Sequence, residues 1–455
     1  MNRVHQLHQL GQSLWYDNIQ RSLLENGTLA KLIEEGLIRG VTSNPTIFHN
    51  AIARSTDYEA ALKPMAWSGW STDQIFTRLA VEDIQAAADL FRSLYESTNG
   101  ADGYVSLEVN PLLANDTEGT VAEAQRLWSL VNRPNLMIKI PATPEGIPAI
   151  RRTIAAGINV NVTLIFSLVR YAEVMDAYLA GLEDRIARGQ AVDRIASVAS
   201  FFVSRVDTKV DQRLQEIIKR EESNAALAQT LLGKAAIANA RLAYALFLQK
   251  FAEPRFLALS QKGARPQRPL WASTSTKNPA YRDVIYVEEL IGPQTVNTVP
   301  PQTLQAFLDH GEAQIKLGAD TANEQKVIEQ LEELGISMDR ITYELEIEGV
   351  KAFADAYTSL LDAIEQRRRA ALQELGPLQN LMPTAIQRQE HEQVARRIFE
   401  VDPSLWTDDA AGQAEIRQRL GWLKSPQNSR ALIQEYTRLA KACRQDGLTH
   451  ALLLG

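Results

Sequence analysis

The chain has 455 residues, 45% of them hydrophobic and 23% charged, with a formal net charge of −7. These totals fit a globular protein with a large core; the acidic balance disfavours a nucleic-acid or polybasic membrane role, but it leaves room for a small anionic substrate, whose site needs only a few local cations. A single cysteine, Cys443, excludes an intrachain disulfide framework and, with no apolar signal core in the first residues, points to a reducing, cytoplasmic setting.

Short apolar runs ending in polar residues alternate along the chain with helical patterns. The runs lie at 13–18, 39–44, 104–110, 136–142, 158–166, 195–204 and 269–274, with a weaker eighth at 295–300. Two helices are expected over 51–100, two more over 207–262, and one long closing helix over 340–375. Strands alternating with helices predict a parallel sheet, and eight strands close a (β/α)8 TIM barrel. An open doubly wound sheet competes, but it would usually show a Gly-rich first turn, and this chain has neither G-x-G-x-x-G nor a P-loop. The expected organisation is a barrel with helical insertions over 1–375, then a mostly helical extension over 376–455 that begins with a linker at "GPLQNLMPT" and ends in a strand at "LTHALLLG". The longest apolar runs, such as "VNVTLIFSLV", are too short to span a bilayer. None of the six histidines has convincing metal-ligand spacing, so no metal is expected.

Strand side chains alternate, so residues two apart share a face. In "YVSLEVN", Val105, Leu107 and Val109 oppose Ser106, Glu108 and Asn110; in "LMIKIPA", Leu136, Ile138 and Ile140 oppose Lys139. In "INVNVTL", Val160, Val162 and Leu164 oppose Asn159, Asn161 and Thr163. Thr42 shares a face with Asn44, and Asp17 falls near the end of the first run. A barrel buries its apolar strand faces under helices, which turns the polar set inward. Dry polar groups are costly unless they bond one another. The set therefore reads either as a polar network that fixes barrel packing or as a catalytic mouth.

An inward lysine beside such a pocket can attack a carbonyl as a free amine and form a Schiff base, provided that apolar neighbours such as Ile138 and Ile140 disfavour its charged form. An ionised Glu108 alongside would work against this, so Glu108 reads as a proton shuttle acting through a water. The alternative is a plain Lys139–Glu108 ion pair inside the barrel.

The blocks "VTSNPTIF", "SLEVNP", "IKIPAT", "NVTLIFS" and "SFFVSRV", followed by "WASTSTKNPAY" and "YVEELIGPQTVNTVPPQTL", resemble the transaldolase family over roughly residues 10–372. The resemblance implies a cofactor-free Schiff-base enzyme of the pentose phosphate pathway on a (β/α)8 barrel. It would move a dihydroxyacetone unit from sedoheptulose 7-phosphate to glyceraldehyde 3-phosphate, giving erythrose 4-phosphate and fructose 6-phosphate. By match of motifs, Lys139 would be the Schiff-base lysine and Asp17 the acid/base that cleaves the C3–C4 bond. Glu108 would act through a water that Thr163 also places. Asn44 and Asn161 would hold the dihydroxyacetone hydroxyls, Ser200 would bind a substrate hydroxyl, and Arg205, Ser273 and Lys277 would grip the phosphate. Against this, Arg205 could form a salt bridge to Asp207, and Lys277 could be a solvated loop lysine.

Residues 376–455 fall outside that resemblance. There, "VDPSLWTDDAAGQAEIRQRLGWL" and "DGLTHALLLG" resemble the opening segment of a phosphoglucose isomerase domain, to which some transaldolases are fused. The chain stops at Gly455, where that domain's phosphate loop should begin, so an isomerase site is expected to be incomplete here. Residues after about 440 are expected to be weakly ordered, or to dock against the barrel or an isomerase domain or chain. Two other functions remain open on the sequence: an aldolase that releases the ketone rather than transferring it, and a non-catalytic scaffold that recruits an isomerase.

Overall fold

A computed structural model describes residues 2–220 and 223–447. Two compact units result: one from the residues up to Lys63 together with Ser71–Ala370, the other from Pro64–Trp70 and the residues from Ala371 on.

The first unit is a closed barrel of eight parallel strands, each falling within one of the eight runs or overlapping it: β1 Gln12–Tyr16, β2 Gly40–Val41, β3 Tyr104–Glu108, β4 Leu136–Pro141, β5 Val160–Ile165, β6 Ser197–Phe202, β7 Arg268–Ala272 and β8 Thr295–Val299. Neighbours in space follow chain order, and β8 pairs with β1 from Gln12↔Thr295 to Tyr16↔Val299. The competing open sheet is thereby excluded. The apolar set is buried as alternation requires: Val105, Ile138, Ile140, Val160 and Val162 are fully covered. Each such side chain contributes about 1.5–3 kcal/mol relative to exposure. In strand β2, Gly40 lies against the Trp15 indole, where a Cβ would come within 2.7 Å of the ring, and soon after the strand Asn44 and Pro45 open a helix, Pro45–Ala53.

Alternation fails at one place. Leu164 has φ +60°, and the β5–β6 register shifts between Val162 and Ile165. This bulge takes Leu164 out of the series of Val160 and Val162 and sets it against Gly349 of the long helix Met338–Glu374, where a Cβ would lie 3.0 Å from Leu164 Cδ2.

The helical insertions are more broken than the sequence pattern predicts. Instead of two helices, 51–100 holds the end of Pro45–Ala53, then Glu59–Trp67, Thr72–Leu90 and Arg92–Ser97. Gly69, at φ +79°, ends one of these, and a capping box between Ser71 and Gln74 starts the next. Over 207–262 the helices are Ser204–Lys219, Ala225–Leu231, Ala235–Lys250 and Pro254–Ser260. The break at Gly233 has φ +70°, and the Tyr281 ring occupies the space of a Cβ at 2.8 Å. Among the described residues no single helix is long and apolar enough to cross a membrane. The bent pair Ala225–Leu231 and Ala235–Lys250 passes that test only jointly, and it buries Ala228, Leu231, Ala240 and Phe247 in the unit's core.

The second unit is helical, with Met382–His391, Val394–Phe399, Ala410–Arg419 and Ile433–Gln445 as its longer elements after the barrel's long helix. The segment read as a linker, "GPLQNLMPT", is instead a 3-10 turn, Gly376–Asn380, running into the helix that starts at Met382. Gln393, at φ +53°, separates the helices Met382–His391 and Val394–Phe399. Phe399, Trp406, Trp422 and Tyr436 are all at least half exposed. The expected strand at "LTHALLLG" lies outside the described residues.

Candidate active site

Register places three polar side chains on one level of the barrel. Glu108 on β3 pairs with Lys139 on β4, and Lys139 pairs with Asn161 on β5. Lys139 is only 5% exposed. Its Nζ donates to the Ser43 carbonyl at 3.2 Å, lies 3.7 Å from Glu108 Oε2 and sits 5.6 Å from the centre of the Phe353 ring. At 3.7 Å the contact with Glu108 is an ion pair without a hydrogen bond. The amine is therefore not locked: it lines a cavity of about 430 Å³ shared with Asp17, Thr42, Ser200, Arg205 and Phe353.

Asp17 follows β1 directly, and its N–H donates to the Val299 carbonyl at 2.9 Å. Its Oδ1 accepts from Thr42 Oγ1 at 2.6 Å, and that hydroxyl also meets Thr298 Oγ1 at 2.6 Å. Burial pushes the Asp17 carboxyl above its ordinary value, against the opposing pull of Lys139 and the Thr42 hydrogen bond. Burial likewise raises Glu108, to about 7, although Lys139 pulls it down. Neither Glu108 oxygen has a hydrogen-bond partner among the described residues, and neither does the Thr163 hydroxyl, which is fully buried.

The raised Glu108 value makes a stability prediction with a definite sign. Between an unfolded value of about 4.3 and a folded value of about 7, the folded state holds a proton that the unfolded state releases. Stability therefore falls as pH rises through that window and stays reduced above it. Glu108→Gln has no such ionisation. Its melting temperature relative to wild type is expected to be higher at about pH 8 than at about pH 5, read by calorimetry; an equal or reversed difference would contradict the buried, strained carboxylate.

At the other end of the cavity lie Arg205, Ser273 and Lys277. Arg205 stacks over the Phe202 ring at 5.1 Å, has no carboxylate partner among the described residues, and is pushed below its ordinary value by burial. The salt bridge to Asp207 does not form. Asp207 turns to the other side of its helix, accepts from the Ala236 N–H and the Tyr286 hydroxyl, both at 2.7 Å, and is pushed to about 6 by burial. Ser273, just past β7, has φ +57°, and its Oγ meets Ser204 Oγ at 3.0 Å. Lys277 is exposed and donates to Ser275 Oγ at 2.8 Å.

Seven of the ten sequence-chosen residues line this cavity: Asp17, Asn44, Lys139, Ser200, Arg205, Ser273 and Lys277. Asn44 spends its Oδ1 capping the helix Pro45–Ala53, accepting from the Ile47 N–H at 2.9 Å, which leaves its amide N–H groups to donate. Glu108, Asn161 and Thr163 are not in the cavity wall. Glu108 lies beside Lys139, and Asn161 sits behind Ser200, accepting from its hydroxyl at 2.7 Å while donating to Ser106 Oγ at 3.0 Å. Sequence reasoning put Thr42 on the inward face but gave it no role, and it left out Thr298 and Phe353. Thr42 shares a strand face with Asn44, a usable signal; Phe353 gives none, since one aromatic on a long amphipathic helix looks like any core residue. Among the described residues no cluster of three or more His, Cys, Asp or Glu side chains is placed to hold a metal ion.

The class is thus a (β/α)8-barrel protein in which one pocket at the carboxyl end of its strands is lined by a buried amine, a raised carboxyl and a guanidinium with no carboxylate partner among the described residues, with a second raised carboxyl beside the amine. The family Transaldolase/Fructose-6-phosphate aldolase matches residues 14–364, and the chain belongs to it. It is 50% identical to a transaldolase of Saccharopolyspora erythraea over 367 residues, covering 80% of this chain and 98% of that protein. It is 50% identical to one of Thermobifida fusca over 372 residues (81% and 98%), and 45% identical to one of Trichodesmium erythraeum over 370 residues (80% and 97%).

Proposed function

We propose that this cavity performs the transaldolase reaction, a step of the pentose phosphate pathway, on phosphorylated ketoses and aldoses, and that Lys139 is its nucleophile. The observation that carries the assignment is an amine buried in the barrel that, among the described residues, donates a hydrogen bond to a backbone carbonyl alone, stands 3.7 Å from the Glu108 carboxylate, and opens to a cavity. The Lys139 nitrogen adds to the C2 carbonyl of sedoheptulose 7-phosphate, and loss of water leaves an iminium. Asp17 takes the C4 hydroxyl proton, the C3–C4 bond breaks, and erythrose 4-phosphate leaves. The C3–C4 bonding electrons flow into the iminium, leaving a three-carbon enamine on Lys139. That enamine attacks the aldehyde carbon of glyceraldehyde 3-phosphate, Asp17 returns the proton, and hydrolysis releases fructose 6-phosphate. Glu108 and Thr163, whose side-chain oxygens have no hydrogen-bond partner among the described residues, manage the water lost and regained. Asn44 and Ser200 hold substrate hydroxyls from the cavity wall, with Asn161 orienting Ser200. Arg205, Ser273 and Lys277 receive the phosphate; an unpaired guanidinium suits it because the fork can bond two oxygens.

The family description also names an aldolase, which would release dihydroxyacetone instead of transferring it. Acceptor dependence separates the two. With fructose 6-phosphate as donor, turnover is expected to need a second aldehyde, erythrose 4-phosphate, and to stall after one equivalent without it; undiminished turnover without acceptor would make the protein an aldolase.

Residues 376–455 lie beyond the family match, and we assign them to an isomerase-like opening segment following a 1–375 barrel domain. This assignment predicts that the same acceptor assay gives the same rate for a chain ending at residue 375. A large loss of transfer on that truncation would mean that the segment belongs to the barrel's own machinery.

A further inference from the structure

Behind the phosphate end of the cavity, two buried aspartates do no chemistry in the scheme above. Asp207 and Asp211 are 1% and 6% exposed and stand one turn apart on the helix Ser204–Lys219, hence on one face. Each accepts the same two kinds of bond. Asp207 takes the Ala236 N–H at 2.7 Å and the Tyr286 hydroxyl at 2.7 Å. Asp211 takes the Gly233 N–H at 2.9 Å and the Tyr281 hydroxyl at 2.6 Å. Each carboxylate thus ties its helix to the segment that follows β7, and also to the helix Ala235–Lys250, Asp207 at its first turn and Asp211 at the break before it.

That segment carries Ser273 and Lys277, while the aspartates' own helix carries Arg205 in its first turn. Arg205 precedes Asp207 by two residues, about 200° around the helix, so the face that holds the aspartates turns away from the side that presents the guanidinium. At its start the segment is also joined to this helix through Ser273, whose carbonyl accepts the Ser204 N–H at 3.0 Å. Lys277 lies midway between that junction and Tyr281, four residues from each. The Tyr281 ring lies on Gly233, where a Cβ would approach to 2.8 Å, so the glycine and the tyrosine fit only each other.

We propose that Asp207–Tyr286 and Asp211–Tyr281 are positioning pairs for phosphate recognition: they hold the segment of Ser273 and Lys277 at a fixed distance from Arg205, so that the three cation and hydroxyl donors converge on one phosphate. The proposal rests on the phosphate reading of Arg205 given above. The pairs touch no substrate; they act through Lys277 and Ser273. Their energetic leverage is that of hydrogen bonds to carboxylates, which are stronger than neutral ones.

The test compares a phosphorylated with an unphosphorylated donor, fructose 6-phosphate and fructose, with erythrose 4-phosphate as acceptor, in the full chain. Tyr281→Phe and Tyr286→Phe each delete one hydroxyl and keep the ring, so packing survives; melting temperatures verify this. The double variant is expected to raise KM for fructose 6-phosphate about tenfold with kcat nearly kept, while kcat/KM for fructose stays within about twofold. Arg205→Ala is run alongside and is expected to erase the preference for the phosphorylated donor. If Arg205→Ala leaves that preference intact, the phosphate reading fails and the proposal falls with it. If Arg205→Ala erases it but the tyrosine variants leave KM unchanged, or depress both donors equally, only the positioning role is overturned.

Discussion

Lys139→Ala is expected to lose transfer activity by ~10⁴-fold or more, because it removes the atom that becomes covalently attached to substrate and leaves only binding and acid/base groups. Borohydride added with fructose 6-phosphate reduces an iminium to a secondary amine, so the wild-type chain should carry a sugar-derived mass on the peptide containing Lys139, and the variant should carry none. The fold should tolerate the change. Among the described residues Lys139 donates one hydrogen bond, to the Ser43 carbonyl, and it has Ile138 and Ile140 as buried neighbours along β4. The substitution does leave Glu108 without its cation at 3.7 Å, but a carboxyl already raised to about 7 by burial can take up a proton instead of standing as a buried charge. Lys139→Met, closer in volume, covers the case in which a cavity at residue 139 destabilises the barrel. A trapped adduct that persists in either variant would move the nucleophile to another lysine. Unimpaired turnover would remove covalent catalysis altogether.

The residues that could be found without coordinates share one property: they violate a local pattern. Lys139 stands out because it interrupts Ile138 and Ile140 on a strand, and Glu108, Asn161 and Asp17 stand out for related reasons. Period-two alternation is a property of the strand itself, so eight strands and their inward faces could be read from neighbours in sequence. What escaped depends on contacts between distant segments. Gly233 breaks a helix that propensity would continue, because Tyr281, nearly fifty residues later, needs the space of its Cβ. A salt bridge from Arg205 to Asp207, two residues away, stood as the alternative to phosphate binding, but helical geometry sends the two side chains to opposite sides, and the partners of Asp207 are Ala236 and Tyr286. Phe353 reaches Lys139 from a helix that begins two hundred residues further along the chain. Asn161 was placed on the inward face, but the sequence could not show that its amide bonds Ser106 and Ser200 from neighbouring strands.

Asp17→Asn should separate two steps that Lys139→Ala abolishes together. Asn keeps the shape and can still accept from Thr42 through its carbonyl oxygen, where Asp17 Oδ1 now accepts at 2.6 Å. What it loses is the ability to take a proton from the C4 hydroxyl. General-base catalysis of this kind is typically worth ~10²–10⁴-fold, and C–C cleavage should slow by that amount. Iminium formation needs no base at C4 and should survive. Borohydride trapping reads the difference directly. In the wild type, without acceptor, cleavage runs ahead of reduction, and the adduct on Lys139 should be the three-carbon unit left after the aldehyde departs. In Asp17→Asn the adduct should be the intact six-carbon sugar phosphate. The geometry allows such a separation because Asp17 sits at the end of β1, hydrogen-bonded to the β2 and β8 side through Thr42 and Thr298, while Glu108 lies beside the amine on β3. The two carboxyls thus stand on different strands, Asp17 past the end of β1 and Glu108 on β3. A three-carbon adduct in the variant, or cleavage slowed by less than about tenfold, would take the base away from Asp17 and leave Glu108 as the remaining carboxyl able to act.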